Sequence, residues 1–378
     1  MIALRNYNYT TWWCMVLLAM LLGGCATKQA PAVLDFGVGT DAAAKRQTWP
    51  PSTSTKGGQS EDQPRFRYVG QLTGEENFRQ PDETGINIGR TIRWLVGLLT
   101  GGEKPVVLQR PQSGMVDETG RILVTDTSRQ AVFVFDPNEG RLDVWESAVG
   151  LTHFVSPAGI TPGMAGDVYV ADAELGFVAR LDRNGKSIGT IGKGELKRPV
   201  GLAFDAKTRQ LYVSDVRTHV IKVFNTEGNL LRTLGNRGEG EGEFNFPTYI
   251  ALSKGELYVT DTMNARVQVL DAETGKMKQV IGSRGLNVGN MVRPKGVSVD
   301  SEGNVYVVES YYDHLLVYNK KGEFLMSIGG TGKDIGSFYL PSGVWIDARN
   351  RVFVADMFNG RVPLFQFLGS VPENEPKK

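Results

Sequence analysis

Six carboxylates recur at near-constant spacing along the 378-residue chain, each closing a short run of aliphatic or β-branched residues: Asp126, Asp172, Asp215, Asp261, Glu309 and Asp356. Acids repeated in this way suggest a cation site, since hard cations such as calcium take carboxylate oxygens. An arginine nevertheless follows five residues later in two of the repeats, Asp261 with Arg266 and Asp356 with Arg361, a spacing that suits an ion pair across one hairpin. Aspartate at such a place also caps a turn by accepting backbone N–H groups. A structural role is the first expectation for all six. After Asp126, Asp172 and Asp215 the same place holds Ala131, Phe177 and Val220, with Arg129 and Arg217 as substitute partners inside the turns. Should those arginines not serve, these three aspartates are the best cation candidate. The three histidines, His153, His219 and His314, are the second set, and convergence would make a zinc site.

Other chemistry is thin. No nucleophile-elbow GxSxG, Walker loop or Cys-x-x-Cys-His is present. The glycine-rich GNRGEGEGEF at 235–244 opens no helix and has Glu239, Glu241, Glu243 and Glu256 near it, which disfavours phosphate. Aromatic and basic residues gather near the loops instead: Tyr249, Tyr311, Tyr312, Phe358, Lys295 and Arg217. Such side chains are the usual anchors of a binding face.

The elements that must position these residues follow from a second period. Pro111, Pro157, Pro199, Pro247, Pro294 and Pro341 each open an apolar run, at intervals of 46, 42, 48, 47 and 47 residues. About four short strands fit each interval, which predicts an all-β six-bladed propeller. The fifth unit reads PKGVSVD, VYVVES, LLVYN and FLMSIGG, with turn residues between the strands. The sixth runs out after Phe367, so its outer strand must come from elsewhere. YVGQLTG at 68–74 aligns with FLMSIGG, and the segment 65–74 is expected to close the ring and remove its open edges. Ile88, Ile92, Leu95 and Leu99 predict one short amphipathic helix near residues 87–100, before blade one.

The units resemble NHL repeats, carried by VTDTMNARVQVLD at 259–271 and VADMFNGRVPLFQ at 354–366, with the likeness covering 110–368. The resemblance implies a six-bladed fold but no single activity, because its members include enzymes, binding modules and scaffolds. Amidating lyases of this type hold zinc through histidines, one beside a blade-opening proline. Here Gln112, Ala158, Val200, Thr248, Lys295 and Ser342 follow the prolines, and none matches that ligand.

The ends set the compartment. Trp12 to Leu22 is an apolar run of eleven residues behind Arg5, an export signal too short to span a bilayer. It closes on Leu22-Gly23-Gly24-Cys25, which resembles the lipobox of bacterial lipoproteins and implies residues 1–24 as signal and Cys25 as the lipidated anchor. Ala26 then implies outer-membrane sorting, facing the periplasm or the cell surface. Cys14 leaves with the signal, so no cysteine remains for a disulfide or thiolate metal site. Residues 25–64 are poor in apolar period and read as a flexible tether, 65–109 as closing strand plus helix, 110–368 as the blades and 369–378 as a polar tail. With 42 basic and 41 acidic residues, no long-range field steers the molecule to nucleic acid. The leading expectation is a non-catalytic scaffold or binding module for a protein partner in the cell envelope, held to the membrane by its lipid and needing no cofactor. The alternatives are a metal-dependent lyase or hydrolase using zinc or calcium at the propeller mouth, and a binder of glycan or cell-wall polymer.

Overall fold

The computed structural model describes residues 31–37, 47–50, 64–79 and 105–369, and within them the chain forms six antiparallel sheets arranged as a closed ring. The signal segment, Cys25, the helix expected near 87–100 and all but the first residue of the polar tail lie outside the described residues.

Blade five shows the shared plan: Pro294–Val299, Val305–Glu309, His314–Tyr318 and Phe324–Gly329, paired in that order from the axis outward. Second and third strands are apolar on both faces, as in Ile122–Asp126 and Ala131–Asp136 of blade one, where every residue is buried. A strand that alternates its side chains between two neighbouring blades has no solvent face, so its sequence reads as a continuous apolar run. Ile122 and Val124 accordingly pack toward blade six, while the intervening Leu123 packs toward blade two. Six such clusters fill the six blade interfaces.

Blade six is closed as expected. Phe66–Leu72 pairs antiparallel with Val362–Phe367, matching Phe66 to Phe367 and Leu72 to Val362. Phe66 and Tyr68 are buried among Tyr306, Phe338 and Phe365, so the strand joins the core shared with blade five.

The flexible tether does not extend over the whole of 25–64. Thr48–Trp49 adds a fifth strand outside Phe66–Leu72, and Trp49 packs edge-on against Phe365 at 5.3 Å. Val33–Leu34 pairs with Phe78–Arg79, and Phe36 lies so close to Gly70 that a Cβ there would stand 2.1 Å from the Phe36 carbonyl oxygen. Residues 31–37 therefore form a strap along the junction of blades six and one. Ala32, Leu34 and Phe36 bury apolar surface there, a gain that a mobile coil would forgo.

Candidate functional site

Strand direction divides the ring into two faces. One carries the blade-opening prolines, the turns between second and third strands and the connectors between blades, and is called here the proline face. The other carries the remaining hairpin turns and is called the hairpin face.

The six carboxylates end the second strands under the proline face, all of them buried. Asp126 accepts the backbone N–H groups of Gln109, Arg110, Ser128 and Arg129 at 2.6–3.0 Å. Asp172 does the same with Val155, Ser156, Glu174 and Leu175, and Asp215 with Lys197 and Arg198. Asp126 and Asp172 thus tie their own turns to the connector entering the same blade, and Asp215 holds the connector of blade three. In blades four and six side chains replace the turn amides: Asn264 and Arg266 donate to Asp261, and Asn359 and Arg361 to Asp356. Glu309 accepts from Val292, Arg293 and Tyr311. Burial pushes the Asp356 carboxyl above its usual value, against the pull of the Tyr339 N–H, Arg361 and Asn359.

Substitution by Arg129 and Arg217 does not occur. Arg129 donates to the Val107 carbonyl and Arg217 is exposed, because backbone amides already occupy the oxygens of Asp126 and Asp215. Asp126, Asp172 and Asp215 face those amides rather than one another. The histidines are not brought together either. His153 is exposed in a connector, and His314 stands half-buried in register with Glu309. His219 is buried, its Nδ1 accepting the Phe246 N–H at 3.1 Å. Among the described residues no three His, Cys, Asp or Glu side chains group to hold a metal.

The axis is built by the inner strands. Two places after the proline stand Ser113, Gly159, Gly201, Tyr249, Gly296 and Gly343. The glycines are required by close approach: a Cβ on Gly159 would lie 2.1 Å from the Val200 carbonyl, and one on Gly343 2.4 Å from that of Gln112. Tyr249, expected on the rim, is not there. It fills the space these glycines leave, with its hydroxyl donating toward the Gln112 carbonyl at 3.2 Å and lying 3.1 Å from Ser342 Oγ. Burial pushes its hydroxyl up to about 12. Below Tyr249, an axial cavity of about 250 Å³ is lined by residues of all six blades. The lone tyrosine in a column of glycines was the signal that could have placed it.

One place after the proline, Gln112, Ala158, Val200, Thr248, Lys295 and Ser342 ring the mouth above that tyrosine. Thr248 and Thr262 hydroxyls bond each other at 2.7 Å, Ser342 donates to Gln112 Oε1, and the Gln112 amide donates to Thr127 and to Met357 sulfur. Lys295, also expected on the rim, sits in this ring half-buried. Its pKa is lowered by burial and by the neighbouring Arg293.

The outer rim keeps the remaining anchors. Tyr311 is 56 % exposed and meets Tyr312 edge-on at 5.0 Å. Phe358 is 45 % exposed, lies 5.5 Å from Tyr339 and carries the Arg110 guanidinium over its ring at 5.1 Å. Phe246, Met263, Leu286 and Tyr339 are further exposed apolar residues of this face that the sequence reading missed, because isolated loop residues carry no period.

Comparison with known proteins bears on the fold. Residues 203–280 match a family described as six-bladed β-propeller. The chain is 36 % identical over 98 residues to NHL repeat-containing protein 2 of Homo sapiens, a match covering 23 % of this chain and 13 % of that protein. It is 24 % identical over 137 residues to protein brain tumor of Drosophila melanogaster, covering 36 % and 13 %. The matches thus span about an eighth of each relative. Among solved structures, a virginiamycin B lyase from Staphylococcus aureus aligns with a TM-score of 0.51 at 12 % identity, over 68 % of this chain and 95 % of that one. An auxiliary nutrient binding protein from Bacteroides ovatus aligns with a TM-score of 0.54 at 14 % identity, over 70 % of each. At such identities the likeness is one of fold. The chain is a six-bladed propeller whose blades are similar to NHL repeats.

Proposed function

We propose that this chain is an exported, non-catalytic binding module, anchored to the outer membrane through lipidated Cys25, whose proline face takes a protein partner of the cell envelope. The observation that supports the binding face is its one-sidedness. Tyr311, Tyr339, Phe358, Phe246 and Met263 are exposed on the proline face, whereas the large apolar residues exposed at the hairpin-face strand ends, Leu230, Phe324 and Leu368, lie singly on separate blades. Exposed aromatics beside arginine on a rigid ring are what an interface requires. The anchor rests on Leu22-Gly23-Gly24-Cys25 and the export signal before it.

A photo-crosslinking side chain placed at Tyr311 or Phe358 is expected to trap a discrete envelope protein in cells, and one at Lys320 on the hairpin face is expected not to. Equal labelling from both faces would refute the assignment. Mass spectrometry of the mature N-terminus tests the anchor: a diacylglyceryl group on Cys25, lost with Cys25→Ser, is the expected result.

A further inference from the structure

We infer that the mouth of the propeller is a carboxylate-binding site, with the Lys295 ammonium as its anchor and Arg293 as the second cation. The mouth is a ring of six residues in which the polar members other than Lys295 are satisfied within the ring and its turns. Gln112 uses its amide on Thr127 and Met357 and its oxygen on Ser342, Ser342 meets Tyr249, and Thr248 meets Thr262. Thr262 in turn donates to the Pro294 carbonyl at 2.9 Å. Lys295 forms no ion pair with any described carboxylate.

The carboxylate that pairs in register with Pro294, Glu309, is already committed to three backbone amides at 2.7–2.9 Å. It does not neutralise the lysine. The neighbouring charge is instead Arg293, of the same sign, which opposes the ammonium as burial does. Lys295 is half-buried, beside a second cation and without an anionic partner, and an uncompensated charge held at the mouth of a rigid ring is a place where a ligand supplies the missing charge. Arg293, two residues before Lys295, is exposed and leaves a second cation open to an incoming anion. Tyr249 closes the axis beneath, which limits the occupant to one end group rather than a threading chain.

The carboxylate comes from an acidic side chain or chain terminus of the protein partner, so this inference rests on the binding-face reading above. A free small carboxylate offers the same chemistry, and the test separates the two. The purified full chain, with lysine side chains labelled at Cε, is titrated by NMR with acetate and with a short acidic peptide flanked by aromatic residues. A saturating shift confined to Lys295, absent in Lys295→Met and weakened about tenfold or more in Arg293→Gln, supports the site. Peptide binding tighter than acetate, with the gain lost in Tyr311→Ala, assigns the source to a partner. Equal affinity, unchanged in Tyr311→Ala, assigns it to a free carboxylate and leaves the site standing without the protein-binding reading. No Lys295 response to either probe overturns the proposal. So does a Lys295→Met variant that melts below the parent, because the lysine would then be structural.

Discussion

The two faces of the ring solve the same problem, the capping of strand ends, by opposite means. On the hairpin face most turns are closed by one of their own side chains. Asp182 accepts the N–H groups of Asn184 and Lys186, Asp300 those of Glu302, Gly303 and Asn304, and Asp347 those of Arg349 and Arg351. On the proline face a carboxylate, beyond any bonds within its own turn, reaches back sixteen to eighteen residues, as Asp172 does to Ser156 and Val155 and Asp215 to Lys197, binding the connector to the blade it enters. Local closure leaves the hairpin face polar and self-contained. Long-range closure frees the loops of the proline face to carry exposed aromatics, because their backbone is held from below.

That contrast is sharpest in stability. Asp172→Ala leaves four backbone donors without an acceptor and is expected to cost about 3–5 kcal/mol. The matching change on the other face, Asp182→Ala, removes bonds that solvent replaces and is expected to cost about 1 kcal/mol. Chemical denaturation of both variants checks the pair, and equal losses would break the comparison. Next in size is Gly159→Ala, whose methyl group must displace the Val200 carbonyl at the axis. Its expected cost is about 2 kcal/mol by overpacking, whereas Gly120→Ala has open space around it and bears only the strain of a positive φ, about 1 kcal/mol.

A smaller effect has the opposite sign. Lys295→Met is expected to raise the melting temperature at neutral pH by about 2 °C, because an unpaired, half-buried charge beside Arg293 leaves the ring. The folded-state pKa of Lys295 lies below its ordinary 10.5, and Arg293 is the charge that adds to burial. Between those two values the unfolded chain holds the proton that the folded chain has released, so the parent gains stability as pH rises through the window. The advantage of the variant is therefore greatest below the lowered pKa and vanishes above 10.5, which paired thermal melts across alkaline pH will show. Smallest of all is Tyr311→Ala with Phe358→Ala, expected to shift stability by less than about 1 kcal/mol while abolishing the partner crosslink from a photo-reactive side chain placed instead at the exposed Tyr339.

Much of the scaffold could be read from residue order. The prolines and carboxylates mark both ends of one hairpin in each blade, so they fixed the register, and the likeness of YVGQLTG to FLMSIGG located the closing strand now seen on Val362–Phe367. The mouth was less legible. Whether a residue just after a proline points outward or into the axis depends on how closely neighbouring blades approach, and that distance is set by glycines in other repeats. Tyr249 and Lys295 were for that reason put on the rim. Segment 31–37 was hidden differently: VLDF is too short for any period, and its value lies in a groove between two distant blades.

That strap has a topographic consequence. Pro31 and Ala32 lie beside the turns Asp117–Gly120 and Asp347–Arg349 of the hairpin face. With acyl chains on Cys25, only seven backbone steps separate the bilayer from the first fastened residue, at most about 25 Å of extended chain. On the lipidation proposed for Cys25 the ring would be moored by one side, with its hairpin-face turns toward the lipid headgroups and the aromatic crown toward the aqueous compartment.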